Sequence, residues 1–424
     1  MFDLLIKNAV TADGEPVDIA CTGGKIIDIS PTIDGPAKDE IDAGGNLITP
    51  PFVDSHFHMD ATLSFGQPRI NESGTLLEGI QIWGELKPAL TVEAIKSRAL
   101  EICTWAIARG TLMIRSHVDI CDPRLLAVDA LLEVKKEIAP YIDLQLVAFP
   151  QDGYLRDPNA AALLTQALDK GVDVVGGIPH FERTMDQGTD SVKALMKIAA
   201  ERGLMVDMHC DETDDPLSRH VETLASECQR LGLHGRIAGS HLTSMHSMDN
   251  YYVSKLLPLM RDSGIAAIAN PLINITIQGR HDTYPKRRGL TRIKELIEHN
   301  VPLALGHDCV MDPWYAMGSH DMLDVAHMAV HTAPMTSMKQ IRRMFDAVTT
   351  DAAKILNLDN YGLHVGANAD LVILQAATPF DAIRLRPARL YVVRHGKIIS
   401  RTAPVVAEVD LDGMCHDVDF ELKI

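Results

Sequence analysis

The chain has 424 residues, 46% of them hydrophobic, and a formal net charge of −17. That length exceeds one small domain, the composition is that of a globular protein with a core of its own, and the charge argues against a polyanion partner, whose phosphates are held by clustered Lys and Arg. Seven scattered cysteines, odd in number and with no Cys-x-x-Cys pair, fit a reducing cytosol better than secretion, and a core of this size needs no disulfide staples.

Residues 2–10 form an apolar run without the basic start of a signal peptide. No run reaches the roughly 18 apolar residues of a membrane span. We expect an uncleaved, cytoplasmic protein with no membrane partner. Residues 17–21 and 25–30 are short apolar runs joined through Gly23-Gly24, a hairpin signal. The style returns at the other end in residues 369–374 and 390–399, where Gly396-Lys397-Ile398-Ile399 echoes Gly24-Lys25-Ile26-Ile27. The pattern predicts one small β-sandwich domain made from both termini, residues 1–47 and 365–424, with residues 48–364 inserted between them.

The middle of the chain carries eight apolar runs, at residues 47–53, 111–114, 142–149, 172–178, 204–208, 236–239, 265–269 and 301–305. They are continuous rather than alternating, as strands covered on both faces require. Helical patterns lie between them. Thr91 caps one whose apolar positions Val92, Ile95, Ala99, Ile102 and Ala106 recur every three or four residues, with Gly110 just past its end. Residues 160–168 and 191–202 read the same way. Eight such units predict an α/β protein, a (β/α)8 TIM-like barrel. A doubly wound open sheet is the alternative, and no Gly-x-Gly-x-x-Gly follows any early strand to favour it.

Active sites of such barrels lie at the C-terminal ends of the strands. The residues closing the eight runs are His56 and His58; His117 and Asp119; Gln151; His180 and Glu182; His209, Asp211 and Glu212; His241; Asn270 and Asn274; and His307 and Asp308. His56 and His58 are two apart and share one face of a strand. Buried imidazoles and carboxylates cost free energy unless they are paired or bound to metal. His56, His58, His209 and Asp308 supply three nitrogens and one oxygen for a divalent ion, Fe2+ or Zn2+, with a coordination position left for water. His327 and His331 lie four apart without the Glu of His-Glu-x-x-His and read as structural, as does His246. Cys210 points away from a neighbouring ligand, and the methionines read mostly as core fillers.

Longer strings carry a resemblance. PPFVDSHFHMD, DVVGGIPHFE, DMHCDE, SHLTSMHS, QGRHDTYPKRRGLTR and GHDCVMDPWYAMG resemble the amidohydrolase superfamily, and within it the bacterial cytosine deaminases. The resemblance implies that His56, His58, His209 and Asp308 bind one metal and that His241 contacts the nucleophilic water. It implies that Glu212 shuttles a proton to the ring nitrogen, for which Asp308 is a second carrier, that Gln151 reads the base edge and that Trp314 walls the pocket. The fourth-strand segment IPHFER lacks the lysine that binuclear relatives modify, which favours a single metal. Cytosine deaminases usually place a second acid after the metal aspartate, and here Cys309 stands there. The implied substrate is a free nucleobase, cytosine or 5-methylcytosine, with no nucleic acid, and the implied assembly is a homo-oligomer. Deaminases of isoguanine, creatinine or triazines and cyclic amide hydrolases on the same barrel are the rivals, along with a metal-binding scaffold that has lost activity.

Overall fold

A computed structural model describes residues 1–421. Eight parallel strands follow one another in chain order: Phe52–Phe57, Thr111–Asp119, Asp143–Phe149, Val174–Gly177, Met205–Cys210, Ile237–His241, Ala266–Ala269 and Leu303–Leu305. The last returns to the first. Asp308 donates its N–H to the His56 carbonyl at 2.7 Å, and His58 donates to the Asp308 carbonyl at 3.0 Å. Helices lie between the strands, so the middle of the chain is a TIM-like barrel.

The helix expected after Thr91 is Val92–Ala108, with the Thr91 hydroxyl accepting from the Ala94 N–H and with Ile95, Ala99, Ile102 and Ala106 buried. The helix expected at residues 191–202 begins earlier, at Met185, because its first turns are polar and carry no apolar period. Helix Leu76–Leu86 has no counterpart in the sequence reading; Thr75 caps it through the Glu78 N–H. No described helix is long and apolar enough to cross a membrane.

The run at residues 47–53 divides. Leu47–Thr49 pairs antiparallel with Leu371–Leu374 in a second sheet, while Phe52–Phe57 opens the barrel. Pro50 and Pro51 stand at the break, where neither offers an N–H to a ladder. That second sheet draws strands from both termini in the order Lys397–Arg401, Arg389–Arg394, Leu371–Leu374, Leu47–Thr49, Phe2–Val10, Pro16–Thr22 and Lys25–Ser30. Its repeated Gly-Lys-Ile-Ile strings are two hairpin tips in contact. Gly23 and Gly24 both have positive φ, as do His395 and Gly396, the geometry of tight hairpin turns. A Cβ on Gly24 would touch the Cβ of His395 at 3.4 Å.

Candidate active site

The strand ends bring five side chains with potential metal-donor atoms together. His209 Nε2 lies 3.2 Å from His56 Nε2 and 2.9 Å from His58 Nε2. Asp308 Oδ1 lies 3.6 Å from His56 Nε2 and 3.3 Å from His58 Nε2. His56, His209, His241 and Asp308 have donor atoms within 4.8 Å of one another, and His58 joins through His209 and Asp308. All five are buried.

Two physical arguments make this donor set fit a divalent cation. A neutral imidazole has one N–H and one lone pair, so a single hydrogen on His209 Nε2 cannot serve both His56 and His58. Four ligands at ~2.0–2.1 Å from a tetrahedral centre stand about 3.4 Å apart, close to the separations here. The electrostatics agree. Burial first, then the neighbouring imidazoles, pull His56 and His209 well below the usual histidine value, and burial pulls His58 down to about 3, so all three offer lone pairs. Burial and the carboxylates around it push Asp308 up, a penalty that a cation removes.

The backbone is bent to make the cluster. His241 and Asp308 have φ of 71° and 66°, the left-handed region that costs a non-glycine residue of order 1–3 kcal/mol. For Asp308, the two closing hydrogen bonds with His56 and His58 hold this conformation.

Behind the cluster a polar chain orients His56. Its Nδ1 lies 2.9 Å from Ser240 Oγ, whose hydroxyl donates to Asp207 Oδ1 at 2.6 Å. Arg115, fully buried, pairs with Asp207 Oδ2 at 3.1 Å. With Nδ1–H directed at Ser240, Nε2 faces the cluster bare. Sequence reading missed Arg115, Asp207 and Ser240 because each sits inside an otherwise apolar strand. Ser240→Ala, which leaves the Arg115–Asp207 pair intact, is expected to weaken metal binding by about 10–100-fold. Competition with a chelating dye measures this, and an unchanged affinity contradicts it.

His58, His209 and Asp308 line the floor of a cleft whose walls include Gln151, Glu212, His241, Cys309 and Trp314. Glu212 Oε1 accepts from His241 Nδ1 at 3.0 Å. Burial opposes a charged His241, but the Glu212 and Asp308 carboxylates outweigh it and leave the imidazole raised. The Asn274 and Asn270 amides flank the same ring at 2.9 and 3.3 Å. Cys309 is buried, and burial with the Asp312 and Asp308 carboxylates pushes its thiol up, so this wall is uncharged. Trp314 lies against helix Leu76–Leu86 at Gly79, where a Cβ would stand 2.2 Å from the indole Cδ1. Only a glycine lets the helix approach the indole so closely.

Other strand-end residues are engaged elsewhere. His117 packs against His56 with ring centroids 4.0 Å apart and the rings tilted by 37°. Asp211 accepts from the backbone N–H groups of His220 and Val221 and caps a helix. Glu182 accepts from the Leu155 N–H, and His307 stacks on His320. Asp119 faces Trp83 and Lys87. His327 Nδ1 and His331 Nδ1 sit against backbone carbonyls, and His246 receives the Arg288 N–H at 3.4 Å.

The fold matches that of 5-methylcytosine deaminase from Klebsiella pneumoniae liganded with 5-fluorocytosine at a TM-score of 0.92. Sequence identity is 42%, over 94% of this chain and 98% of that one. The chain is 30% identical over 417 residues to N-isopropylammelide isopropyl amidohydrolase of Pseudomonas sp. (strain ADP), covering 96% and 99% of the two chains. It is 29% identical over 403 residues to a pterin deaminase of Rhizobium rhizogenes, covering 93% and 90%. A family model described as the amidohydrolase family matches residues 39–400, and the chain belongs to that family.

Proposed function

We propose that the protein hydrolytically deaminates a free pyrimidine base, converting cytosine or 5-methylcytosine with water to uracil or thymine and ammonia. The observation that carries this reading is one cavity in which Gln151, Glu212 and Cys309 face the His/Asp cluster. The likeness to a 5-methylcytosine deaminase over nearly the whole chain supports the choice of ring.

His56, His58, His209 and Asp308 would hold one divalent metal, iron or zinc. When bound, it supplies Lewis-acid chemistry, lowering the pKa of water from 15.7 to roughly 7. The chain's own groups then divide the work. The Gln151 amide offers both a donor and an acceptor, and so matches the carbonyl and ring N–H on one edge of a pyrimidine. Glu212 takes the proton of the attacking water and delivers it to the adjacent ring nitrogen, making the C–NH2 carbon more electrophilic. His241, held by Glu212 through Nδ1, turns its other nitrogen toward Asp308 and the water. After attack, Glu212 or Asp308 takes the proton of the new C–OH and passes it to the amino group, and as the C=O forms the C–N bond breaks with its electron pair on nitrogen, releasing ammonia. Trp314 covers one side of the ring and keeps bulk water out.

Cys309 sets the substituent the pocket accepts. A small uncharged thiol tolerates a 5-methyl group that a solvated carboxylate would repel. One methyl contact is worth about 1–3 kcal/mol, or roughly 10–200-fold. Cys309→Asp is therefore expected to lower kcat/KM for 5-methylcytosine relative to cytosine by at least about tenfold. Ammonia release from cytosine, 5-methylcytosine, isoguanine and a hydroxylated amino-triazine checks this. A wild-type preference for cytosine that Cys309→Asp leaves unchanged overturns the assignment of Cys309. Turnover of the triazine alone, the ring of the 30% identical relative, overturns the choice of pyrimidine.

A further inference from the structure

Asp119 and Asp152 lie near the strand ends but away from the donor cluster, and one lysine accounts for both. Lys87 Nζ lies 2.7 Å from Asp119 Oδ2 and 2.9 Å from Asp152 Oδ2, with its side chain only 14% exposed. It directly follows helix Leu76–Leu86. The same Asp119 oxygen accepts the Trp83 indole N–H at 2.7 Å, and the other accepts the Cys121 N–H at 2.7 Å. Trp83 in turn packs on Trp314 with ring centroids 6.3 Å apart. Asp152 directly follows Gln151. One ammonium therefore ties the helix that backs Trp314, the end of the second barrel strand and the turn that carries Gln151.

The two carboxylates differ in what they need. Asp119 is buried and requires a compensating charge. Asp152 is 43% exposed, so water would solvate it even if Lys87 were removed. The Lys87–Asp152 link thus places the turn rather than neutralising a buried charge. Burial opposes the charged ammonium, but the carboxylates outweigh it and hold the lysine above its usual value.

We propose that Lys87 is a positioning residue for substrate, fixing the gap between the Trp314 wall and the Gln151 amide so that a planar ring meets both. The proposal rests on the base-deaminase reading of Gln151.

The test is steady-state kinetics of the metal-loaded full chain with 5-methylcytosine and cytosine. Lys87→Met and Asp152→Ala are both expected to raise KM roughly tenfold, the worth of one charge-assisted hydrogen bond. Their kcat should stay within about threefold and their metal content should match the wild type, with most of the loss restored in Lys87→Arg. A wild-type KM in Asp152→Ala overturns the proposal, and so does a kcat that falls in step with lost metal. Should Lys87→Met fail to fold, Asp152→Ala decides alone, because its exposed side chain leaves the Lys87–Asp119 pair intact. A wild-type enzyme inert toward every base tested overturns the substrate reading instead. In that case acrylamide quenching of tryptophan emission judges Lys87: greater quenching in Asp152→Ala supports it, and unchanged quenching overturns it.

Discussion

Glu212→Gln is expected to keep its metal and to lose about 10²–10⁴ in kcat. The amide is nearly isosteric and can still receive the His241 Nδ1–H that Glu212 Oε1 accepts at 3.0 Å. What it cannot do is take a proton from water and return one to the ring. KM should move little, because the group acts on the transition state rather than on ground-state binding. Metal analysis beside steady-state kinetics measures both quantities. If the loss lies in KM, or if metal leaves with activity, Glu212 is a binding or structural residue and the proton path runs elsewhere.

At His209 the expected effect is larger still. Its Nε2 is the atom that both other imidazoles approach, at 2.9 and 3.2 Å, so His209→Ala removes the ligand at the centre of the donor set. The remaining donors would not enclose a cation, and the lowering of water's pKa that it would supply goes with it. Activity should fall to background together with metal content. The cavity left by the ring should not prevent folding, because Cys210 and Met208 on the same strand still pack into the core. A His209→Ala protein that retains one metal per chain and measurable turnover would place the ion on a different set of ligands.

The barrel was legible because its strands are continuous apolar runs and some of its helices carry a clear period. Val92–Ala108, with Thr91 at its cap, shows that period together with a start signal. The donor set was legible for a related reason: polar residues closing apolar strands have no packing explanation, and His56, His58, His209 and Asp308 do converge. Pattern failed where chemistry alone could not say which way a side chain turns. Asp119 and Asp211 stand at strand ends as Asp308 does, yet one pairs with Lys87 and the other caps a helix. It failed also for Arg115 and Asp207, whose pairing spans 92 positions of chain. Helix Leu76–Leu86 was hidden because Leu77 faces solvent while Leu76 and Ile80 are only partly buried, which blurs the period.

The most direct test of the whole account is a metal titration of chelated enzyme. The account predicts that exhaustively dialysed protein stays folded but inert toward cytosine and 5-methylcytosine. Activity should then return linearly with added ferrous iron or zinc and saturate at one ion per chain. Full turnover in the metal-free protein, or saturation only at two ions per chain, would contradict it.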